Sequence, residues 1–169
     1  MHTDSDKIWF EEQIRDMQDS LYNVAYSLLR NHADAEDAVC EAIVQGWNSL
    51  PRLKDRTYFK PWQMKILKYN VYTLMRKNRH EIVYDDTLVE GMSDVDDSME
   101  KIEERELIRQ ALYSLPPDYR LTLILFYMED YSIKEIAKTM NCTQGTVKSR
   151  LSRGRDKLRV ILEGGANHV

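Results

Sequence analysis

The sequence predicts an all-α protein: two small helical domains joined by a flexible acidic linker. Three observations predict it. Apolar residues recur at steps of three and four through most of the 169 residues. A stretch at 81–100 breaks that rhythm with Gly91, Ser93, Ser98 and six acidic residues between Asp85 and Asp97. Residues 131–162, reading YSIKEIAKTMNCTQGTVKSRLSRGRDKLRVIL, have the plan of two helices meeting at a tight turn. The domains are therefore drawn at 10–80 and 101–163, with the linker at 81–100.

In chain order, Ile14, Met17, Leu21, Val24, Ala25 and Leu28 put one apolar stripe on a first helix over 11–29, and the stretch 31–34 breaks it. A second helix over 34–50 carries Ala35, Ala38, Val39, Ala42, Ile43, Gly46, Trp47 and Leu50 on its apolar side, then stops at Pro51. Its other side presents Asp34, Asp37, Glu41, Gln45 and Asn48 in one row. By periodicity alone that row is an ordinary wet face.

A polar, basic loop over 51–60 leads to Pro61, tolerated in the first turn of a third helix that runs to Asn78. Met64, Leu67, Val71 and Leu74 form its buried stripe. The opposite face holds Trp62, Lys65, Tyr69, Tyr72 and Arg76. Unpaired bases require such an alternation, since bases stack on rings and phosphates pair with cations. The competing reading seats Trp62 and one tyrosine in a second core contact.

Beyond the linker, a helix over 99–115 has Ile102, Leu107, Ile108, Ala111 and Leu112 on its apolar side. Pro116 and Pro117 stop it and start another, whose run of Leu121, Leu123, Ile124, Leu125 and Phe126 is core. Ser132 and Glu135 form a capping box for the next helix. Ile133, Ile136, Ala137 and Met140 give that helix one apolar side, Asn141 and Cys142 interrupt it, and Thr143 caps the last helix. Val147, Leu151, Gly154, Leu158 and Ile161 face inward there, and Gly164 with Gly165 ends it.

At about 100° per residue, Lys148, Ser149, Ser152, Arg153 and Arg159 project away from that inward stripe, flanked by Arg150, Arg155 and Lys157. Arg or Lys donates to guanine O6 and N7 in a major groove while flanking cations hold phosphates. A capped helix-turn-helix with this face points to duplex DNA.

The formal net charge of −4 argues the other way until it is divided along the chain. Residues 51–80 carry nine Lys or Arg against one Asp, and 138–159 carry seven against one. The segments 1–50 and 81–106 are net −7 and −9. Two basic blocks separated by an acidic one make two candidate DNA surfaces. Cys40 and Cys142 stand apart with no metal-ligand spacing and read as reduced thiols in a cytoplasmic protein. No membrane span and no signal peptide is expected.

With these pieces in place, the chain resembles the extracytoplasmic-function group of RNA polymerase sigma factors of the sigma-70 family, the small kind with only the second and fourth conserved regions. The motifs that carry the resemblance are NHADAEDAVCEAIVQGW at 31–47, FKPWQMKIL at 59–67, LPPDYRLTLIL at 115–125 and YSIKEIAKTMNCTQGTVKSRLSRGRDKL at 131–158. The resemblance implies that the helix after DAEDA binds the clamp helices of the largest polymerase subunit, with Asp37, Cys40, Glu41 and Trp47 at or near that contact. It implies that the first domain opens and holds the promoter's minus-10 element, matching Trp62, Lys65, Tyr69 and Arg76, with Tyr72 on the same face. The recognition helix would read the minus-35 element through Lys148, Ser149, Ser152 and Arg153, with Thr146, Arg150 and Arg155 on phosphates.

Core RNA polymerase and promoter DNA are thus the implied partners, together with an anti-sigma factor, often membrane-anchored. No cofactor, metal or small-molecule substrate is implied. Three positions depart from the family pattern: Cys40 for a common glutamine, Tyr69 for a common asparagine, and Gly154 for a usual alanine. The alternative is a stand-alone helix-turn-helix regulator that dimerises on a palindrome. It leaves the Trp62/Tyr69/Arg76 face without a purpose. An enzyme is the weakest reading, because His2, His32, His80 and His168 are scattered and no glycine-rich phosphate loop exists.

Overall fold

Thr3 starts the chain's first helix. Its hydroxyl accepts from the Asp6 amide at 3.0 Å and the Asp6 carboxylate accepts from the Thr3 amide at 2.9 Å, a capping box that launches α1 (Asp4–Leu29). The computed structural model describes residues 1–79 and 98–166. Because of this box α1 begins upstream of the expected residue 11, and the added turns place Phe10 in the core, edge-on to Phe59 with ring centres 5.6 Å apart. Arg30, in the left-handed region at φ 51°, closes the helix by donating its amide to the Tyr26 carbonyl.

Asn31 caps α2 (His32–Ser49), accepting from the Asp34 amide at 2.9 Å. The buried side of α2 is made of small residues, Ala35, Ala38, Val39, Ala42 and Gly46, and α1 and α3 both pack against α2. The basic loop contains two 3₁₀ turns, Leu50–Arg52 and Arg56–Tyr58, before α3 (Phe59–Asn78). Met64, Leu67 and Val71 of α3 are fully buried, as the spacing predicts.

Ser98 precedes α4 (Met99–Ser114), and Pro117 opens α5 (Pro117–Leu123). The chain then widens into one π-helical turn, Ile124–Met128, in which the Glu129 amide reaches the Ile124 carbonyl at 3.1 Å. Next come α6 (Ile133–Met140) and α7 (Gln144–Ala166). The Ser132/Glu135 capping box is formed, and Asn141 turns the chain in the left-handed region at φ 52°.

Three expectations are corrected. Ile102, Leu107 and Ile108 are exposed rather than core, because α4 packs on α7 and buries only Ala111 fully. The last helix does not stop at Gly164: α7 runs on to Ala166, and a side chain at 164 would meet nothing within 4 Å. Ile161 is likewise solvent-exposed.

The two helical groups share one continuous apolar core. α3 is the common element, packed on α1 and α2 on one side and on α6 on the other. Several polar contacts cross the same boundary. Lys60 pairs with Glu135 at 3.3 Å, Arg120 donates to the Leu28 carbonyl at 3.3 Å, and Lys138 stands 3.0 Å from the centre of the Tyr58 ring. Most of the acidic linker, residues 80–97, lies outside the described residues. No strand occurs among the described residues, and no helix there is long and apolar enough to cross a membrane.

Candidate nucleic-acid interface

The helix-turn-helix is built as its sequence requires. Ile136 and Val147 are fully buried on either side of the turn, with Leu151 behind them, so the outward face of α7 is set by the buried one. Thr143 caps α7, accepting from the Thr146 amide at 3.1 Å, while the two hydroxyls meet at 3.0 Å. Lys148, Ser149, Ser152 and Arg153 are exposed along one side. A depression of about 410 Å³ runs between Tyr119, Thr143, Thr146, Ser149, Arg150 and Arg153. It is positive, floored by a hydroxyl-rich helix start, and open to solvent.

Gly154 explains its own departure from alanine. A Cβ there would come within 3.0 Å of Leu123 Cδ1, so the missing methyl is where α7 approaches the α5 core. Two flanking cations are engaged elsewhere. Arg155 donates to the Tyr127 hydroxyl at 2.7 Å while remaining exposed. Arg150 is turned inward, 3.8 Å from Asp118 and 3.9 Å from the Cys142 sulfur.

The aromatic and basic face of α3 divides. Tyr69 and Arg76 are open, Tyr69 being 56% exposed. Lys65 is half-buried, and Trp62 leans on the core with its ring 5.8 Å from Phe59. Lys68, absent from the predicted set, lies between the Tyr69 and Tyr72 rings at 5.5 and 5.6 Å, and burial lowers its pKa. Tyr72 donates to Asp118 Oδ1 at 2.7 Å. Burial first, and then that hydrogen bond, push its phenol well above the ordinary tyrosine range.

The acidic row of α2 also divides. Asp37, Cys40 and Glu41 are exposed together. Asp34 accepts from Asn78 at 3.1 Å, and Gln45 joins Glu41 at 3.0 Å to Asn70 at 3.1 Å, which ties the row to α3. Trp47 is not on this surface. It is half-buried between His2, stacked at 3.9 Å, and Phe10 at 5.3 Å.

Asp118 is the residue that sequence reasoning passed over. It sits in the first turn of α5, where an acid is expected for the helix dipole alone, and nothing local shows that Tyr72 and Arg150 converge on it. The two reach it across a cleft of about 650 Å³ that also takes in Arg76, Arg79 and Tyr113. Contacts 32 and 46 positions away are invisible to local pattern.

The chain as a whole is similar to known proteins. The sigma-70 region 2 family model matches residues 13–81, and the sigma-70 region 4 model matches residues 105–158. The RNA polymerase sigma factor SigV of Bacillus subtilis is 31% identical over 149 residues, covering 88% of each chain. The ECF RNA polymerase sigma factor SigW of the same organism is 26% identical over 155 residues, 84% of this chain and 82% of SigW. Among solved structures, the sigma factor RpoE of Bartonella quintana, crystallised with the anti-sigma factor NepR, aligns at TM-score 0.71 and 27% identity over 91% of this chain and 96% of its own. On these grounds the chain belongs to the extracytoplasmic-function group of sigma-70 family RNA polymerase sigma factors.

Proposed function

We propose that this sigma factor binds core RNA polymerase through α2, with Asp37, Cys40 and Glu41 on the contact and Trp47 supporting it from below. Residues 10–80 form the polymerase-binding and minus-10 domain, and 101–163 the minus-35 domain, with the acidic segment 81–100 as the tether. Trp62, Lys65, Tyr69, Tyr72 and Arg76 take the unpaired minus-10 strand. Lys148, Ser149, Ser152 and Arg153 read minus-35 base edges, while Thr146, Arg150 and Arg155 contact phosphates. The protein acts in the cytoplasm and performs no chemistry of its own. An anti-sigma factor binds it; the related sigma factor RpoE was crystallised in complex with the anti-sigma factor NepR.

The observation that carries this reading is the exposed row of Lys148, Ser149, Ser152 and Arg153 on the second helix of a doubly capped helix-turn-helix. Each domain alone offers a small surface. Polymerase, by fixing their separation, makes the second contact intramolecular and raises effective concentration.

The test is transcription from a promoter library by purified core polymerase with and without this chain. Initiation at defined starts only in its presence is the expected result. A chain that binds palindromic duplexes as a dimer and directs no initiation would contradict it.

A further inference from the structure

The first turn of α1 reaches across to the basic loop that leads into α3. Arg56 of that loop donates to Asp6 Oδ1 and forms an ion pair with it, fifty positions away in the chain. The same guanidinium lies over the Trp9 ring, 4.5 Å from its centre. The Trp9 ring in turn meets Phe59 edge-on at 5.1 Å, and Phe59 meets Trp62 at 5.8 Å. We infer that Asp6 is a positioning residue for promoter recognition: through Arg56 it holds the loop, and with it the start of α3, in the arrangement that receives the unpaired minus-10 strand. The inference rests on the assignment of Trp62 and its neighbours on α3 made above.

The loop needs an anchor. From Pro51 to Tyr58 every side chain but Leu53 is exposed, so burial does little to fix it. Asp55 accepts from the Thr57 amide at 3.0 Å and from the Thr57 hydroxyl at 2.7 Å, which shapes the second 3₁₀ turn from within. Tyr58 meets Lys138, which belongs to the carboxy-terminal helical group. Arg56 instead finds its partners, Asp6 and Trp9, in the same helical group as α3. Those partners are themselves fixed. Asp6 completes the capping box with Thr3, Phe10 is buried against Phe59 and Trp47, and His2 stacks on Trp47. Asp6 and Trp9 also precede residues 13–81, the stretch that matches the region 2 family model, so this support lies outside the family pattern.

Position and charge pull in opposite directions here, which makes the inference decidable. Removing a carboxylate beside a cationic surface strengthens nucleic-acid binding by electrostatics alone. Releasing the loop weakens binding, because a loose loop has to be ordered when the strand arrives. A loss of affinity on removing the Asp6 charge therefore reports position. With the Arg56 and Asp6 side chains 45% and 22% exposed, solvent screens the pair and the effect is a small one.

The experiment uses holoenzyme assembled from core polymerase and the full chain as wild type, Asp6→Asn, Arg56→Gln and Asp6→Asn/Arg56→Gln. Asp6→Asn keeps an acceptor for the Thr3 amide and removes the charge that faces Arg56. Affinity is measured for a labelled single-stranded oligonucleotide carrying the minus-10 sequence of a promoter from which the wild-type holoenzyme initiates. Urea midpoints of the four free chains are measured alongside.

Asp6→Asn should weaken strand binding roughly two- to fivefold where Arg56 is present. It should not weaken binding in the Arg56→Gln background, where there is no pair to break. Equal effects in the two backgrounds, or tighter binding in both, would overturn the inference alone. So would a shift of the urea midpoints with strand affinities left at the wild-type value, since that is a role confined to stability. A wild-type holoenzyme that initiates on no promoter, or that initiates without binding the minus-10 strand, would overturn the functional assignment and this inference together.

Discussion

Gly46 of α2 lies directly against the side-chain amide of Gln63 of α3, so that a Cβ added at position 46 would stand 2.1 Å from Gln63 Oε1. Gln63 is completely buried and donates to the Ala42 carbonyl at 2.8 Å, which pins the amide in place. The helix that carries the proposed polymerase contact and the helix that carries the proposed minus-10 contact are thereby held at one spacing. Gly46→Ala should destabilise the protein by about 1–3 kcal/mol, as overpacking in a filled core does, despite the better helix propensity of alanine. Urea unfolding checks it, and an unchanged midpoint would mean the amide moves freely.

The capping box at Ser132 sets the start of the first helix of the helix-turn-helix. Ser132→Ala removes the acceptor of the Glu135 amide and should cost about 1 kcal/mol of stability. Glu135→Gln retains the reciprocal bond to the Ser132 amide and should cost less. Thermal melts of the two variants, taken at the same pH, compare them directly.

Tyr69 stands open on α3 where its ring can stack on a base. Tyr69→Ala in the holoenzyme should weaken binding of a single-stranded minus-10 oligonucleotide by about 1–3 kcal/mol, the worth of one base–aromatic stack, and Tyr69→Phe should restore most of it. Equal loss in both variants would assign the hydroxyl, not the ring, to recognition.

The acid dependence of the amino-terminal turn has a defined sign. The Thr3 amide first, and then the Arg56 guanidinium, hold the Asp6 carboxyl far below its ordinary value of 3.8. A group with a depressed pKa in the folded state contributes stability above its unfolded pKa and loses it as the pH falls through the folded value. Protection of the amides in the first turn of α1, taken relative to the unfolded-chain rate at each pH, should therefore fall below about pH 4 in the wild type. Asp6→Asn should show the lower protection already at neutral pH, with no further acid step.

The helices and the outward basic face of α7 were legible because they depend on residues three and four apart. Ser132 with Glu135, Thr143 with Thr146, and the inward Val147 and Leu151 are local facts that the structure repeats. The start of α1 was missed because Asp6 fills the place of the usual Glu or Gln in its capping box. The exposure of Ile102 and Leu107 was missed because an apolar stripe states a preference for burial without naming a partner. Periodicity placed Tyr72 on the outward face of α3 and Arg150 on the flank of α7, and the structure gives both a partner in Asp118 of α5. For Tyr72 that partner comes from the other helical group and for Arg150 from its own, and only the tertiary packing reveals either.

On the proposed function, polymerase contact and promoter reading reside on separate faces of one chain. The measurement that tests it most directly is initiation by core polymerase on a defined promoter with wild type, Arg153→Ala and Asp37→Ala/Glu41→Ala, scored for both polymerase binding and promoter choice. Arg153→Ala should still bind polymerase but lose promoter discrimination. The double variant should lose polymerase binding while its helical content and thermal midpoint stay at the wild-type values. Loss of polymerase binding by Arg153→Ala, or full activity of the double variant, would contradict it.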